Sequence, residues 1–282
     1  PIKPHSISLR CLPASFNKWI SISKKHTVIK AAFFDLDGTL FSYHNHTVSH
    51  ATVATFQKLR ALGIRTFVAT GRTPIIIPNM PLTFDGYITM TGGLVYCGNT
   101  TLVRQPIPRQ YAETWYQYAK KHHISTICFT DTQMFINHID DQCLQLRDYL
   151  DFDSPQVLSE DEMMLKDNFQ IIAIVPPKED DAIKKMMPQC TLPRWHSMFT
   201  DIVLNTNSKS NGVKAVCEHF GINLNDTIAF GDGGNDIDML ELCGIGVAMG
   251  NAADHVKKHA DYITSDVEEE GITKAFEHFG II

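Results

Sequence analysis

Asp35-Leu36-Asp37-Gly38-Thr39-Leu40 follows directly on a short apolar run at residues 28–34, and this stretch decides the fold. Only Lys30 interrupts the run, and its length and β-rich composition favour a fully buried parallel strand. Open α/β sheets bind ligands where such strands end, so two aspartates there predict a ligand site. Like charges this close are costly unless a cation or a proton relieves them. A polar strand end with an Asp-Gly turn is the competing structural interpretation.

Composition narrows the class of protein. The chain has 282 residues, of which 44% are hydrophobic and 20% charged, a length that suits one large domain or two smaller ones. Its net charge of −6 argues against a nucleic-acid binder. Seven scattered cysteines form no C-x-x-C pair, which favours reduced thiols and a cytoplasmic protein. No apolar run approaches the ~18 residues that a membrane span needs, so no membrane partner is expected.

The order of strand and helix patterns predicts an α/β fold with two parts. Alternating strands and helices at 28–103 and 196–282 predict a doubly wound, Rossmann-like parallel-sheet core, which includes a hairpin with a Gly98-Asn99 turn. Residues 104–195 carry about two strands for each helix, which predicts an inserted α+β module with an antiparallel sheet. Residues 1–27 form an N-terminal extension of unknown role.

Three further motifs stand where a phosphate site would need them. Thr70-Gly71-Arg72 follows the second predicted strand, and Lys209 precedes a predicted helix. The run Gly231-Asp232-Gly233-Gly234-Asn235-Asp236 follows the strand at 227–230. Each motif alone has an ordinary structural explanation as a turn, a surface lysine or an N-capping loop. Together, and in this order, they predict a site for a phosphate and a hard cation.

With these four motifs the sequence resembles the haloacid dehalogenase-like hydrolase superfamily, most closely its Cof-type branch (subclass IIB), over about residues 28–282. The resemblance implies an α/β C2-type cap inserted between the second and third motifs. It implies a Mg²⁺-dependent phosphatase that acts on small phosphorylated metabolites, with sugar phosphates favoured, through an aspartyl-phosphate. One departure is visible, because many relatives carry Asn-Gly where this chain has Thr91-Gly92-Gly93.

The roles expected of the motif residues follow from phosphoryl-transfer chemistry and from the resemblance. Asp35 is the expected nucleophile, and Asp37 the acid that protonates the leaving oxygen and later activates water. Thr70 and Lys209 would stabilise the equatorial oxygens. Mg²⁺ would bind the carboxylates of Asp35 and Asp232 and, as the family implies, the backbone carbonyl of Asp37. The residues expected to bind substrate or phosphate are Leu36, Gly71, Arg72, Asn205 and Asn235. Asp236 is expected to support Lys209.

Other polar and aromatic residues are weaker candidates. The inserted module offers possible cleft residues, namely Trp115, Tyr116, His122, His123, Arg194, Trp195 and His196. Asp201 and Asn205 lie on the return strand and are better placed. Trp115 and Tyr118 have helical spacing typical of core residues, and Cys97 and Cys128 are expected to be buried thiols. The cluster His44, His46 and His50 is interpreted as a solvated loop and not as a metal site.

Two alternative functions stay open. A phosphomutase of the same superfamily would use the same aspartyl-phosphate, and a non-enzymatic phosphate- or nucleotide-binding module could use a similar sheet. A P-loop kinase is disfavoured because no G-x-x-x-x-G-K-S/T run occurs, and a dehydrogenase because G-x-G-x-x-G does not follow the first strand. The expected assembly is a monomer or a weak homo-oligomer.

Overall fold

The fold is described from a computed structural model that covers residues 28–42, 44, 47–150, 155–194 and 196–282. The N-terminal extension 1–27, His46 of the histidine cluster and the cleft candidate Trp195 lie outside these residues. None of the helices within this part of the chain is both long and apolar enough to span a bilayer.

The described residues form two sheets. The strands are β1 (Ala31–Phe34), β2 (Arg65–Ala69), β3 (Gly86–Thr89), β4 (Leu94–Cys97), β5 (Thr100–Arg104), β6 (Thr126–Phe129), β7 (Met134–Ile136), β8 (Gln156–Val157), β9 (Gln170–Ala173), β10 (Cys190–Thr191), β11 (Thr200–Leu204), β12 (Thr227–Gly231), β13 (Ile245–Ala248) and β14 (Tyr262–Ile263).

Helices connect and cover the strands. The α-helices are α1 (His50–Ala61), α2 (Arg109–His122), α3 (Asp141–Leu150), α4 (Glu160–Met163), α5 (Asp180–Met186), α6 (Lys209–Phe220), α7 (Ile237–Leu242), α8 (Asp254–Lys257) and α9 (Gly271–His278). Short 3₁₀ turns occur at Pro74–Ile76, Met90–Gly92, Pro177–Glu179, Leu224–Asp226, Gly234–Asp236 and Val267–Glu269.

The larger sheet confirms the predicted doubly wound core. Its order is β14-β13-β12-β1-β2-β3-β4-β5, and only β4 and β5 run antiparallel to their neighbours. The chain leaves β1 toward β2 on one side and returns to β12 on the other. The strand order therefore reverses beside β1, and ligands bind at such switch points in open α/β sheets.

Strand β1 is buried on both faces, as its apolar run predicts. Phe33 stacks on Phe67 at 5.1 Å between ring centroids, and Phe34 stacks on Phe230 at 5.1 Å. The two phenylalanines belong to separate core clusters because successive strand side chains point to opposite faces. Packing on both faces fixes the end of β1, and with it the position of Asp35.

The smaller sheet belongs to the inserted module and has the order β10-β11-β9-β6-β7-β8. Its pairs are antiparallel except for β7 with β8. Strand β11 pairs with β9, although the predicted boundary at 195/196 assigns β11 to the core. A short, mostly buried run marks a strand without identifying its sheet, and we therefore propose that the module extends to Leu204.

Two of the cleft candidates form the interior of the module instead, and a third is held in a partly exposed ion pair. Trp115 and Tyr116 are fully buried in its core, and the Tyr116 hydroxyl donates to Asn168 Oδ1 at 2.6 Å. The Arg194 guanidinium donates to both carboxylate oxygens of Asp180 and to neighbouring carbonyls. The interpretation of Trp115 as a core residue is thus confirmed and the predicted cleft position of Tyr116 is wrong, whereas a cleft position for Arg194 stays a prediction.

The remaining weak candidates have local roles. His122 and His123 end α2 and are exposed, and His196 stacks on Phe199. Asp201 is buried in β11, where its amide donates to the carbonyl of Pro193. Cys97 and Cys128 are buried, as predicted, and all six cysteines of the described residues are free thiols. His44 and His50 belong to no metal-like cluster that the described residues form.

Candidate active site

Three loops meet where neighbouring parallel strands end. Asp35 follows β1, Thr70 follows β2, and Asp232 follows β12, and β1 pairs directly with both of the other strands. Asp35, Thr70 and Asp232 are all buried, with exposed fractions of 6%, 1% and 8%. The predicted motifs therefore converge on one crevice at the switch point of the sheet.

Lys209 lies at the centre of this crevice. It is the first residue of α6, which Ser208 caps by accepting a hydrogen bond from the Asn211 amide. Its ammonium is fully buried and donates to Asp35 Oδ1 and Asp236 Oδ1, both at 2.5 Å. The lysine is thus a fixed positive charge between two carboxylates.

Three carboxylates surround the single lysine, and burial and these charges shift the pKa values of Asp35 and Lys209. Burial raises the pKa of Asp35 well above its ordinary value, and Lys209 offsets only part of this increase. Burial lowers the pKa of Lys209, but the charges of Asp236 and Asp35 more than compensate, so that its pKa is raised. With Asp232 nearby, the site carries an excess of negative charge that an added cation would relieve.

Asp236 organises the loop that follows β12. Its Oδ2 atom accepts hydrogen bonds from the amides of Asp232 and Gly233, at 3.1 and 2.9 Å, while Oδ1 faces Lys209. A Cβ atom at Gly231 would lie 2.5 Å from the Asp236 side chain, so only glycine fits there. Both carboxylate oxygens are already used, which agrees with the supporting role expected of Asp236.

The site fits a divalent cation. One carboxylate oxygen each from Asp35, Asp232 and Asp236 lies within 4.8 Å of the other two. Because Asp236 is committed to Lys209 and two amides, Asp35 and Asp232 are the carboxylates best placed to hold Mg²⁺, which prefers oxygen ligands. The side chain of Asp37 lies outside this cluster, and its predicted contribution through the backbone carbonyl stays a prediction.

Asp37 is held by Arg72. The guanidinium donates from Nε to Asp37 Oδ2 at 2.8 Å and from Nη2 to Oδ1 at 2.7 Å. Its remaining nitrogen donates to the carbonyl of Ile76 at 2.9 Å. Arg72 was predicted to bind phosphate, but its planar fork meets a carboxylate two residues from the nucleophile. In this structure it therefore orients the expected acid–base residue.

The other predicted phosphate contacts differ in position. The hydroxyl of Thr70 accepts the Arg72 amide at 3.1 Å, and the Asn235 amide nitrogen lies 3.7 Å from a Cβ built on Gly71. The Leu36 side chain is buried in the core, so that only its backbone can face a phosphate. Asn205 is exposed after β11, and its backbone amide donates to the carbonyl of Gln189 in the module. The structure thus groups Thr70, Gly71 and Asn235, and a substrate contact of Asn205 stays a prediction.

Two residues of the site escaped the sequence analysis. Thr39 Oγ1 donates to Asp232 Oδ1 at 3.0 Å, and Asn251 Nδ2 donates to the Gly38 carbonyl at 2.8 Å. Thr39 lies within the hexapeptide Asp35–Leu40 that follows β1, so its polar side chain is evident in the sequence. Asn251 follows β13, the next parallel strand along the same edge of the sheet. A polar residue shortly after a parallel strand is the sequence feature that indicates a position near the site.

Comparisons with known proteins agree with this geometry. The family model described as haloacid dehalogenase-like hydrolase matches residues 32–276. YkrA of Bacillus subtilis (strain 168) is 31% identical over 90% of this chain and 98% of its own. Its name describes it as a proposed phosphatase.

A second Bacillus subtilis protein, 5-amino-6-(5-phospho-D-ribitylamino)uracil phosphatase YcsE, is 27% identical over 92% of this chain and 99% of its own. The solved structure of BT4131, described as a HAD subclass IIB sugar phosphatase, superimposes with a TM-score of 0.79 at 34% identity. That alignment covers 90% of this chain and 100% of BT4131.

The family match extends from β1, which precedes the nucleophile candidate, to the last helix, and so includes all four motifs. Relatives aligned over nearly their whole lengths share both the core and the inserted module. The predicted Cof-type resemblance and the predicted enzyme class of hydrolase are confirmed. The chain belongs to the haloacid dehalogenase-like hydrolase family.

Proposed function

We propose that the protein is a Mg²⁺-dependent phosphatase that hydrolyses small phosphorylated metabolites through an aspartyl-phosphate. The observation that carries the proposal is the buried Lys209 between Asp35 and Asp236, with Asp232 alongside, at the switch point of the sheet. A carboxylate nucleophile, a fixed cation and a cluster suited to Mg²⁺ are the parts that phosphoryl transfer needs. The names of the relatives YcsE and BT4131 support phosphate esters as substrates.

In the first step a carboxylate oxygen of Asp35 attacks phosphorus and the bond from phosphorus to the ester oxygen breaks. Asp37 delivers a proton to the departing oxygen, so that an alcohol leaves and Asp35 carries the phosphoryl group. Lys209 and Thr70 stabilise the charge on the equatorial oxygens, and Arg72 keeps Asp37 in position.

In the second step water attacks the phosphorus of the aspartyl-phosphate. Asp37 accepts the water proton, the bond from phosphorus to Asp35 breaks, and inorganic phosphate leaves with the Asp35 carboxylate restored. Asp35 and Asp232 would hold Mg²⁺, which supplies positive charge against the repulsion between the nucleophile and the phosphate. Because burial raises the pKa of Asp35, such a cation also favours the ionised form that attacks.

Sugar phosphates are the proposed substrate class. The support is the 34% identity with BT4131, described as a sugar phosphatase, over the whole of that chain. The name of YcsE indicates a phosphorylated ribityl compound, which is also a polyol phosphate. We further propose that the protein is cytoplasmic, because all six cysteines of the described residues are free thiols.

The test is phosphate release from a panel of sugar phosphates, nucleotides and p-nitrophenyl phosphate, with Mg²⁺ and with EDTA. We expect release that needs Mg²⁺, is abolished by Asp35→Asn and falls by about 10²–10³ in Thr70→Val. Asp226→Asn, which removes a surface partner of Lys30, is the control that should retain full activity. Near-normal turnover in Asp35→Asn would exclude Asp35 as the nucleophile.

Product analysis distinguishes the mutase. Formation of an isomeric sugar phosphate without free phosphate would favour a phosphomutase, which returns the phosphoryl group to its substrate. Binding of Mg²⁺ and a phosphate analogue without any turnover would favour the non-enzymatic binding module.

A further inference from the structure

We infer that Asn251 is a positioning residue for the cation site, which holds Asp232 in the orientation that binds Mg²⁺. The inference rests on the proposed function, since it concerns the same cation. The hydrogen bonds of the Asn251 side chain to other described residues go to Gly38, Asp232 and Val267 and not to the nucleophile candidate Asp35. Its action is therefore through Asp232 and the backbone of the nucleophile loop.

Asn251 connects three loops with a single side chain. Its Nδ2 atom donates to the Gly38 carbonyl at 2.8 Å and to Asp232 Oδ2 at 3.3 Å, while Oδ1 accepts the Val267 amide at 3.1 Å. These loops follow β1, β12 and β14 respectively. The asparagine thus fixes the loop of Asp232 relative to the loop of Asp35 and Asp37.

The turn that carries Asn251 is itself rigidly seated. The Gly250 amide donates to the Ser265 carbonyl at 3.0 Å. A Cβ atom at Gly250 would lie 2.5 Å from the Asp266 amide nitrogen, so the two backbones touch. The asparagine side chain is therefore presented from a fixed base, as a positioning residue requires.

Asp232 receives a hydrogen bond on each oxygen from residues outside its own loop. Thr39 Oγ1 donates to Oδ1 and Asn251 Nδ2 donates to Oδ2, which together fix the plane of the carboxylate. A metal-binding carboxylate whose orientation is preset loses less freedom when the ion binds. Partners of this kind commonly contribute 10- to 100-fold to metal affinity.

The experiment measures cation binding directly, by calorimetry with Mg²⁺ and by electron paramagnetic resonance with Mn²⁺ as a spectroscopic probe. Asn251→Ala is expected to raise the Kd for both ions by about 10- to 100-fold. At saturating Mg²⁺ the turnover should recover toward that of the wild type, since the proposed catalytic groups Asp35, Asp37 and Lys209 are unchanged. The defect should therefore appear in the Mg²⁺ dependence and less in kcat.

Asn137→Ala is a matched control. Asn137 lies in the inserted module and has the same bonding pattern, accepting the Thr126 amide and donating to the Ile124 carbonyl and to Glu160. Its loss should lower the melting temperature without changing the Kd for Mg²⁺. An Asn251→Ala protein that melts earlier but binds Mg²⁺ as tightly as the wild type would show a merely structural asparagine and overturn the inference.

Thr39→Val is a second variant that keeps the test decisive if Asn251→Ala fails to fold. It removes the donor to the other oxygen of Asp232 at nearly constant volume, and it should raise the Kd in the same direction. An unchanged Kd would count against preset orientation of Asp232. A wild-type protein that binds neither ion would instead refute the proposed Mg²⁺ dependence and, with it, this inference.

Discussion

At the scale of single residues, the nucleophile candidate Asp35 is a carboxylate whose charged form is disfavoured by burial. Asp35 is buried beside a lysine that Asp236 already neutralises, and burial raises its pKa. Removing one partner of a buried pair is usually destabilising because it leaves an unpaired charge. Lys209 keeps Asp236 when Asp35 is lost, so that rule does not apply here.

We therefore predict that Asp35→Asn raises the free energy of unfolding in EDTA by about 1 kcal/mol while abolishing activity. The measurement is urea denaturation of the metal-free protein at pH 7.5. Asp236→Asn is the control with the opposite sign, because Asp236 accepts Lys209 and two backbone amides. If both variants destabilise the protein equally, Asp35 is an ordinary structural ion-pair partner.

The difference in the free energy of unfolding between Asp35→Asn and the wild type should depend on pH. A carboxyl group whose pKa is raised by folding favours the folded state when protonated, and this advantage is lost as the pH rises through the folded pKa. The stabilisation of Asp35→Asn over the wild type should thus shrink toward pH 4.5 and grow toward pH 7.5. A difference that is constant across this range would contradict the assigned shift.

A strained turn lies beside the phosphate site. Thr91 has φ 54° and ψ 38°, and its amide donates to the Thr70 carbonyl at 3.0 Å. A β-branched residue in the left-handed region is an outlier, whereas asparagine tolerates it. This left-handed backbone would suit the Asn-Gly pair that the family resemblance implies at this turn.

We predict that Thr91→Asn increases the free energy of unfolding by about 1 kcal/mol, because it relieves this strain. Chemical denaturation measures the gain. The same substitution at Thr101, on the extended edge strand β5, is the control and should bring no gain. Equal effects at the two positions would mean that the left-handed conformation of Thr91 is not costly.

At the scale of elements, the sequence predicts what burial and turn chemistry determine locally. The apolar runs of β1 and β12, and the Gly98-Asn99 turn between β4 and β5, lie where expected. The sheet that β11 joins could not be predicted, because its pattern suits either sheet. The acceptor of the Arg72 guanidinium likewise depends on the tertiary structure and could not be predicted, since a carboxylate and a phosphate satisfy the same donor geometry.

Helix α6 depends on a close approach that only glycine allows. A Cβ atom at Gly212 would lie 2.4 Å from Cγ2 of Ile88 on β3. The helix can therefore lie close against the sheet and bring Lys209, at its first turn, to the ends of the strands. Packing of one element thus determines the position of the charge that we propose acts in catalysis.

Gly212→Ala tests this dependence. In an unconstrained helix the change stabilises by up to about 1 kcal/mol, but here we expect a loss of about 1–3 kcal/mol and a fall in kcat as Lys209 moves. Glu218→Ala, on the exposed face of the same helix, is the control and should leave both quantities nearly unchanged. Adding Ile88→Ala should restore part of the activity, and a gain in stability from Gly212→Ala alone would refute the argument.

At the scale of the whole molecule, a small junction joins the core to the inserted module. Phe169 of the module is fully buried and packs against Met90 and Leu94 of the core. The Arg104 guanidinium, at the end of core strand β5, lies 5.2 Å from the Phe169 ring centroid. The junction therefore borders the strained turn at Thr91, which connects it to the active site.

Arg104 also makes ion pairs with two loops of the module, to Asp131 at 3.1 Å and to Asp167 at 2.9 Å. Its side chain is 41% exposed, so these pairs contribute little to global stability. Any motion of the module relative to the core must nevertheless break or rearrange them. Their expected effect is on local opening and not on global unfolding.

We predict that Arg104→Gln lowers the global free energy of unfolding by less than about 1 kcal/mol. Exchange of the Ile107 backbone amide, which donates to the Asn168 carbonyl within the module next to the junction, should become faster by up to about fivefold. Hydrogen–deuterium exchange followed by mass spectrometry measures this. Arg109→Gln removes an ion pair confined to α2 and should leave junction exchange unchanged. Because surface pairs are screened by salt, high ionic strength should accelerate the wild-type amide toward the variant's rate; if it does not, Arg104 does not restrain the junction electrostatically.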